Sequence, residues 1–151
     1  MRTMMVALLC GVSLAAFNHS AACAEVLITA DEAKLPAPSS SATLPTRGLT
    51  RGPGIEQESP LPNEIVHSPL PFKIRFAIRN NVDIDRDSVR LTYIRATPVD
   101  LTTRIKKHVQ ADGIVMNQAE VPPGTHLLRL ELKDMQGRVS TAVLKLNVTD
   151  R

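Results

Sequence analysis

Three stretches alternate apolar and polar side chains with period two, and this pattern restricts the chain more than any other feature. Phe72, Ile74, Phe76 and Ile78 alternate with Lys73, Arg75, Ala77 and Arg79. Leu128, Leu130 and Leu132 alternate with Arg129, Glu131 and Lys133, and Ala142, Leu144, Leu146 and Val148 repeat the pattern near the end. Successive side chains of a strand point to opposite faces, so each stretch reads as a half-buried strand with one apolar face. Such faces need a second apolar layer, and strands separated by polar turns satisfy one another as two packed sheets.

The turns fit that reading. Leu61-Pro62-Asn63-Glu64, Asn80-Asn81 with Asp83 to Asp87, and Asp134-Met135-Gln136-Gly137 carry the residues that favour tight backbone reversals. The last of them closes a hairpin, with Gly137 free to take positive φ. Shorter strands are expected at Ile55 to Glu58, over Val89, Leu91 and Tyr93, and at Gly113 to Met116. Leu101, Ile105 and Val109 recur every four residues, which suits a short amphipathic helix capped by Asp100. Val121-Pro122-Pro123-Gly124 reads as a rigid loop. The expected fold is all-β, an antiparallel sandwich of about seven strands over residues 54–149.

The first residues point to export. Arg2 supplies a positive start, and Met4 to Phe17 is uncharged and apolar but shorter than the roughly 20 residues a spanning helix needs. Ala22-Cys23-Ala24 forms a small-x-small cleavage site, so residues 1–24 read as a secretory signal peptide and the compartment as periplasmic or extracellular. Ser20-Ala21-Ala22-Cys23 also resembles a lipoprotein signal, with Ser20 where an apolar residue is usual. Cleavage after Ala24 removes Cys10 and Cys23 together, leaving no thiol for a disulfide or a nucleophile. Removing Arg2 takes the formal charge from +3 to +2, a mild value that demands no polyanionic partner. No later segment is long and apolar enough to span a membrane.

Residues 25–53 read as a flexible leader. Thr29-Ala30-Asp31-Glu32 fits a capping box, but Pro36 limits any helix there to one turn. Pro36, Pro38, Ser39 to Ser41, Pro45 and the Gly-rich stretch at 47–54 cannot bury enough apolar area to offset chain entropy. The leader is a spacer, or a segment that pairs with a neighbouring molecule.

Pro123-Gly124, the alternating strand Leu128 to Lys133, Asp134-Met135-Gln136-Gly137 and a last alternating strand together resemble the end of bacterial immunoglobulin-like domains. Ser59-Pro60-Leu61-Pro62-Asn63, Ile74-Arg75-Phe76 and Asp87-Ser88-Val89 resemble their opening half, over roughly residues 54–149. The resemblance is to secreted proteobacterial proteins of this layout. It implies an immunoglobulin-like sandwich and carries no chemistry. The Cys-Trp-Cys core of antibody domains is absent, and Tyr93 lies too early to be a tyrosine corner.

The opening half also resembles copper-binding periplasmic sandwiches, which makes a metal carrier the alternative function. His67, His108 and His126, with Met116 and Met135, have no spacing that forces convergence, so no metal ligands and no cofactor are assigned. Asp83, Asp85 and Asp87 lack the glycine and the bidentate acid of a calcium loop. No nucleophile stands in an elbow motif, so no catalytic residue is assigned and an enzyme is not expected. Phe72, Phe76 and Tyr93 carry inward parity, which leaves no aromatic platform for bases or sugars and argues against nucleic acid. Basic residues are the remaining lead: Lys73, Arg75 and Arg79 on the outer face of one strand, and a cluster of Arg104, Lys106 and Lys107. The expected function is an exported, non-catalytic binding or structural module that meets another envelope protein.

Overall fold

In the computed structural model, residues 24–38 and 51–150 are described. The expected signal segment, Ala24 aside, and residues 39–50 of the expected leader lie outside them. The elements follow in the order β1 (Glu25–Val26), α1 (Ala30–Ala33), β2 (Gly54–Ser59), β3 (Ile65–His67), β4 (Leu70–Ala77), β5 (Ile84–Tyr93) and β6 (Val99–Asp100). Then come α2 (Thr102–Ile105), a 3-10 turn (Lys106–His108), β7 (Gly113–Glu120), β8 (Gly124–Asp134) and β9 (Val139–Thr149).

Two sheets result, one ordered β1-β7-β4-β2 and the other β3-β9-β8-β5-β6. Their apolar faces meet in one core: Phe72, Ile74, Phe76, Ile114 and Met116 from the first sheet, and Leu91, Tyr93, Leu128, Leu130 and Leu146 from the second. The all-β expectation holds. The purely antiparallel one does not, because β1 runs parallel to β7 and β3 parallel to β9. The described residues form nine strands rather than about seven, since β1, β3 and β6 are two or three residues long and too short to show a period.

The clearest alternating stretches fold as expected. β8 and β9 pair in unbroken register from Gly124↔Val148 to Lys133↔Val139. Their turn is fastened by the buried Asp134, whose Oδ1 accepts from the amides of Gln136 (3.0 Å) and Arg138 (2.9 Å) while Oδ2 accepts from Arg138 Nε (2.6 Å). Those donors hold the Asp134 carboxyl below its usual range against the opposing effect of burial. In β4 the fourth inward residue is Leu70 rather than Ile78, which is 49% exposed. The strand ends at Ala77 because Asn80 and Asn81, at φ 56° and 54°, reverse the chain between Arg79 and Val82. β5 begins earlier than its apolar residues indicate, at Ile84, with its register to β8 irregular between Asp85 and Arg90. The helical period at 101–109 resolves into α2 and the 3-10 turn, with Leu101 and Ile105 buried and Asp100 Oδ1 accepting from Thr102 N at 2.8 Å.

The described part of the expected leader is the main correction. Leu27 and Ile28 are 0% and 1% exposed and belong to the core, so residues 25–38 are structural rather than a flexible spacer. Four consecutive apolar or β-branched residues, Val26 to Thr29, were enough to give a two-residue strand and two core side chains. Proline-rich composition masked them.

Candidate functional site

Several paired ionisable side chains lie where the N-terminal segment meets the end of the sandwich. β1 runs along the edge of β7, with Glu25 opposite Ala119 and Val26 opposite Glu120. The amides of Leu27 and Ile28 both donate to the Glu120 carbonyl, at 2.9 and 3.3 Å. The next residues form the capping box foreseen from Thr29 and Glu32: Thr29 Oγ1 accepts from Glu32 N (3.2 Å), and Glu32 Oε2 accepts from Thr29 N (2.9 Å). Beyond α1, Pro36 O accepts from Ala96 N at 3.0 Å.

Two acidic residues of this segment meet the basic cluster of α2 and the 3-10 turn. Arg104 Nη1 and Nη2 donate to Glu32 Oε2 (2.8 Å) and Oε1 (2.7 Å), and Nη1 also donates to the Leu27 carbonyl (2.9 Å). This two-pronged contact is the geometry at which arginine binds carboxylate best. The Arg104 guanidinium is the main reason the Glu32 carboxyl is held down to about 2. At the other end, Glu25 lies 2.7 Å from His108 Nε2 and 2.9 Å from Lys107 Nζ, and these two neighbours, His108 first, lower its pKa. The basic cluster that stood out in the sequence is thus largely spent on the protein's own N-terminal segment.

A buried polar chain lies beside it. Arg95 Nη2 donates to the Tyr93 hydroxyl, which lies 2.7 Å from His126 Nδ1, and His126 Nε2 lies 2.8 Å from the Pro122 carbonyl. A carbonyl only accepts, so Nε2 carries the ring proton and Nδ1 of the neutral ring accepts from Tyr93. Burial holds the His126 ring below its ordinary 6.5 and raises the Tyr93 phenol. A tyrosine fully occupied by an arginine and a neutral histidine serves to fix strand ends β5 and β8 in place. Parity placed Tyr93 inside; only its hydroxyl's partners were not legible.

Lys73 and Arg75 stand on the outer face of β4, a central strand of its sheet. Arg75 is opposite Glu56 of β2 on one side and Gly113 of β7 on the other, and Lys73 is opposite Ser59 and Val115. Arg79 leaves this row, because it sits past the end of β4 in a bridge with Val82. The face is therefore mixed in charge, with the acids of β2 alongside the bases of β4. The three histidines among the described residues occupy separate settings. His67 Nδ1 on β3 contacts Thr149 at 3.3 Å, His108 holds Glu25, and His126 lies in the buried chain. Met116 is in the core and Met135 is exposed on the hairpin turn. Among the described residues no three of His, Cys, Asp and Glu gather as a metal site. Asp85 Oδ1 accepts from Asp87 N (3.1 Å), the local backbone bond expected of such a turn.

An open groove of about 590 Å³ is lined by Val26, Ile28, Pro69, Glu120, Pro122 and Thr149. No described helix is long and apolar enough to cross a membrane. No family model matches the chain, and it matches none of the curated proteins and none of the solved structures.

Proposed function

We propose that this protein is an exported, non-catalytic accessory module of the bacterial envelope, an immunoglobulin-like sandwich that meets another envelope protein through a sheet edge. The observation that carries this reading is the state of the four sheet edges. Of the four edge strands, β1, β3 and β6 are two or three residues long and cover only the ends of β7, β9 and β5, whereas β2 is six residues long, its backbone paired with β4 on one side while Gln57 reaches the Lys145 carbonyl of β9. An unpaired edge of that length offers backbone donors and acceptors to an added strand. Glu56 and Glu58 on β2, with Lys73 and Arg75 beside them, supply the side chains that select the partner.

Strand order supports the immunoglobulin-like class. β2, β4 and β7 in one sheet against β5, β8 and β9 in the other follow the A-B-E against C-F-G arrangement of such sandwiches, with β1 in the place of the fourth strand beside β7. The non-catalytic part is supported by the pairing of Tyr93 with His126 and of Glu32 with Arg104, which ties these ionisable groups to the protein's own elements.

The test is site-specific photo-crosslinking in exporting cells, with probes at Glu56, Lys73 and, on the opposite sheet, Arg129. One envelope protein captured from Glu56 and Lys73 but not from Arg129 is the expected result. Equal capture at all three, or none at Glu56 with export verified, would overturn the edge reading. The intact mass of the exported product separates cleavage after Ala24 from acylation at Cys23.

A further inference from the structure

We propose that the seat beside β7 also accepts the N-terminal segment of a second copy of this chain, so that two copies exchange residues 25–38. The contacts run from segment to body: Leu27 and Ile28 amides to Glu120, Glu25 to Lys107 and His108, Glu32 to Arg104, Arg104 to the Leu27 carbonyl, and Ala96 to the Pro36 carbonyl. Each has one partner in residues 25–38 and the other at position 96 or later, so each forms identically whichever chain supplies the segment. The segment is also compact in itself, because its capping box and the Lys34–Asp31 pair close within it.

The order of the strands points the same way. β7 lies between β4 and β1, and the chain between β5 and β7 forms β6, α2 and the 3-10 turn instead of a strand for that edge. The place is filled from a distant part of the sequence, by a strand parallel to β7, so no tight turn joins the two. Twelve residues, 39–50, join the segment to the rest of the chain, a length that spans at most about 40 Å. Exchange of an identical element costs little because the same contacts are made in both states. Short tethers give the internal segment an effective concentration on the order of millimolar, so the exchanged form grows with protein concentration.

Charge reversal tests this on the full chain. E32R places two arginines together within one copy, and R104E two carboxylates. An exchanged pair of one E32R and one R104E chain restores opposite charges at both seats. Mixing the two variants is expected to give a 1:1 heterodimer by native mass spectrometry, absent from either variant alone and from the E32R/R104E double variant. A mixture that stays monomeric while the double variant regains the thermal stability of the parent would overturn the proposal. Should either single variant fail to fold, V26C and E120C chains, altered at positions adjacent in register, are mixed and oxidised at rising concentration. A 26–120 interchain disulfide whose yield rises with concentration supports exchange, and its absence at every concentration overturns it. Neither result depends on an envelope partner.

Discussion

Replacing Arg104 by alanine is the most informative single change to the fold. Arg104 makes three hydrogen bonds, two to Glu32 and one to the Leu27 carbonyl, and its side chain and that of Glu32 are 29% and 17% exposed. Truncation leaves a half-buried carboxylate with the Thr29 amide and hydroxyl as its remaining partners and frees a carbonyl beside the core. Holding the Glu32 pKa at about 2 against an ordinary 4.5 corresponds to about 3 kcal/mol at ~1.4 kcal/mol per pH unit. Partial solvent screening reduces this, so R104A is expected to cost about 2 kcal/mol at pH 7. The assay is urea denaturation of parent, R104A, E32Q and the double variant between pH 7 and pH 2. A depressed carboxylate pKa gives stability that is complete above 4.5 and is lost as pH falls towards about 2. The parent should therefore lose more stability than E32Q across that window, and the two single changes should be clearly non-additive. Additive effects, each under about 0.5 kcal/mol, would refute the claim that this pair holds the N-terminal segment.

Other expected outcomes follow from the core and the strand contacts. Tyr93→Phe removes the only O–H that meets His126 Nδ1, leaving a buried acceptor unpaired at a cost of about 1–3 kcal/mol in denaturation. NMR titration of His126 should give a midpoint below 6.5, its stabilising contribution being present above that pH and lost as pH falls from there through the lowered folded value. Gly113→Ala places a Cβ about 2.1 Å from the Ile74 carbonyl, so β4 and β7 must part, and a loss of at least about 3 kcal/mol is expected in urea titration. Leu27→Ala empties a fully buried site and should cost about 2–4 kcal/mol, where a spacer residue would cost almost nothing.

The strands legible in the sequence were those with one buried face over several residues. β8 and β9 declare themselves because Leu128, Leu130 and Leu132 alternate with Arg129, Glu131 and Lys133, and Leu144, Leu146 and Val148 with Lys145 and Asn147. β4 was legible in its middle, but parity alone carried its inward row on to Ile78, where the Asn80-Asn81 turn has already released the chain. At the other end, Pro71 hid that Leu70 belongs to the strand, since a proline there points outward. The N-terminal segment was missed because composition over the whole of 25–53 outweighed four residues, Val26 to Thr29, that find a ready-made sheet edge. A signal for it existed. Glu25 and Glu32 are seven residues apart, and Lys107, His108 and Arg104 offered an unmatched positive cluster, but only tertiary structure joins two such distant groups. The same holds for the buried chain of Arg95, Tyr93 and His126, which links residues on two strands and a loop carbonyl. The row of Lys73, Arg75 and Arg79 reads as one basic face in sequence because neighbouring strands are invisible there. Glu56 opposite Arg75 and the turn before Arg79 change its character.

Amide hydrogen exchange of Leu27 and Ile28 in the protein tests most directly whether residues 25–38 complete the sandwich. Both amides donate to the Glu120 carbonyl, so their protection should approach that of the β7 amides and fall in R104A. Exchange at the rate of an unstructured peptide, with β7 still protected, would show a free leader and contradict the fold, the seat for a second copy's segment, and the role given to Arg104 together.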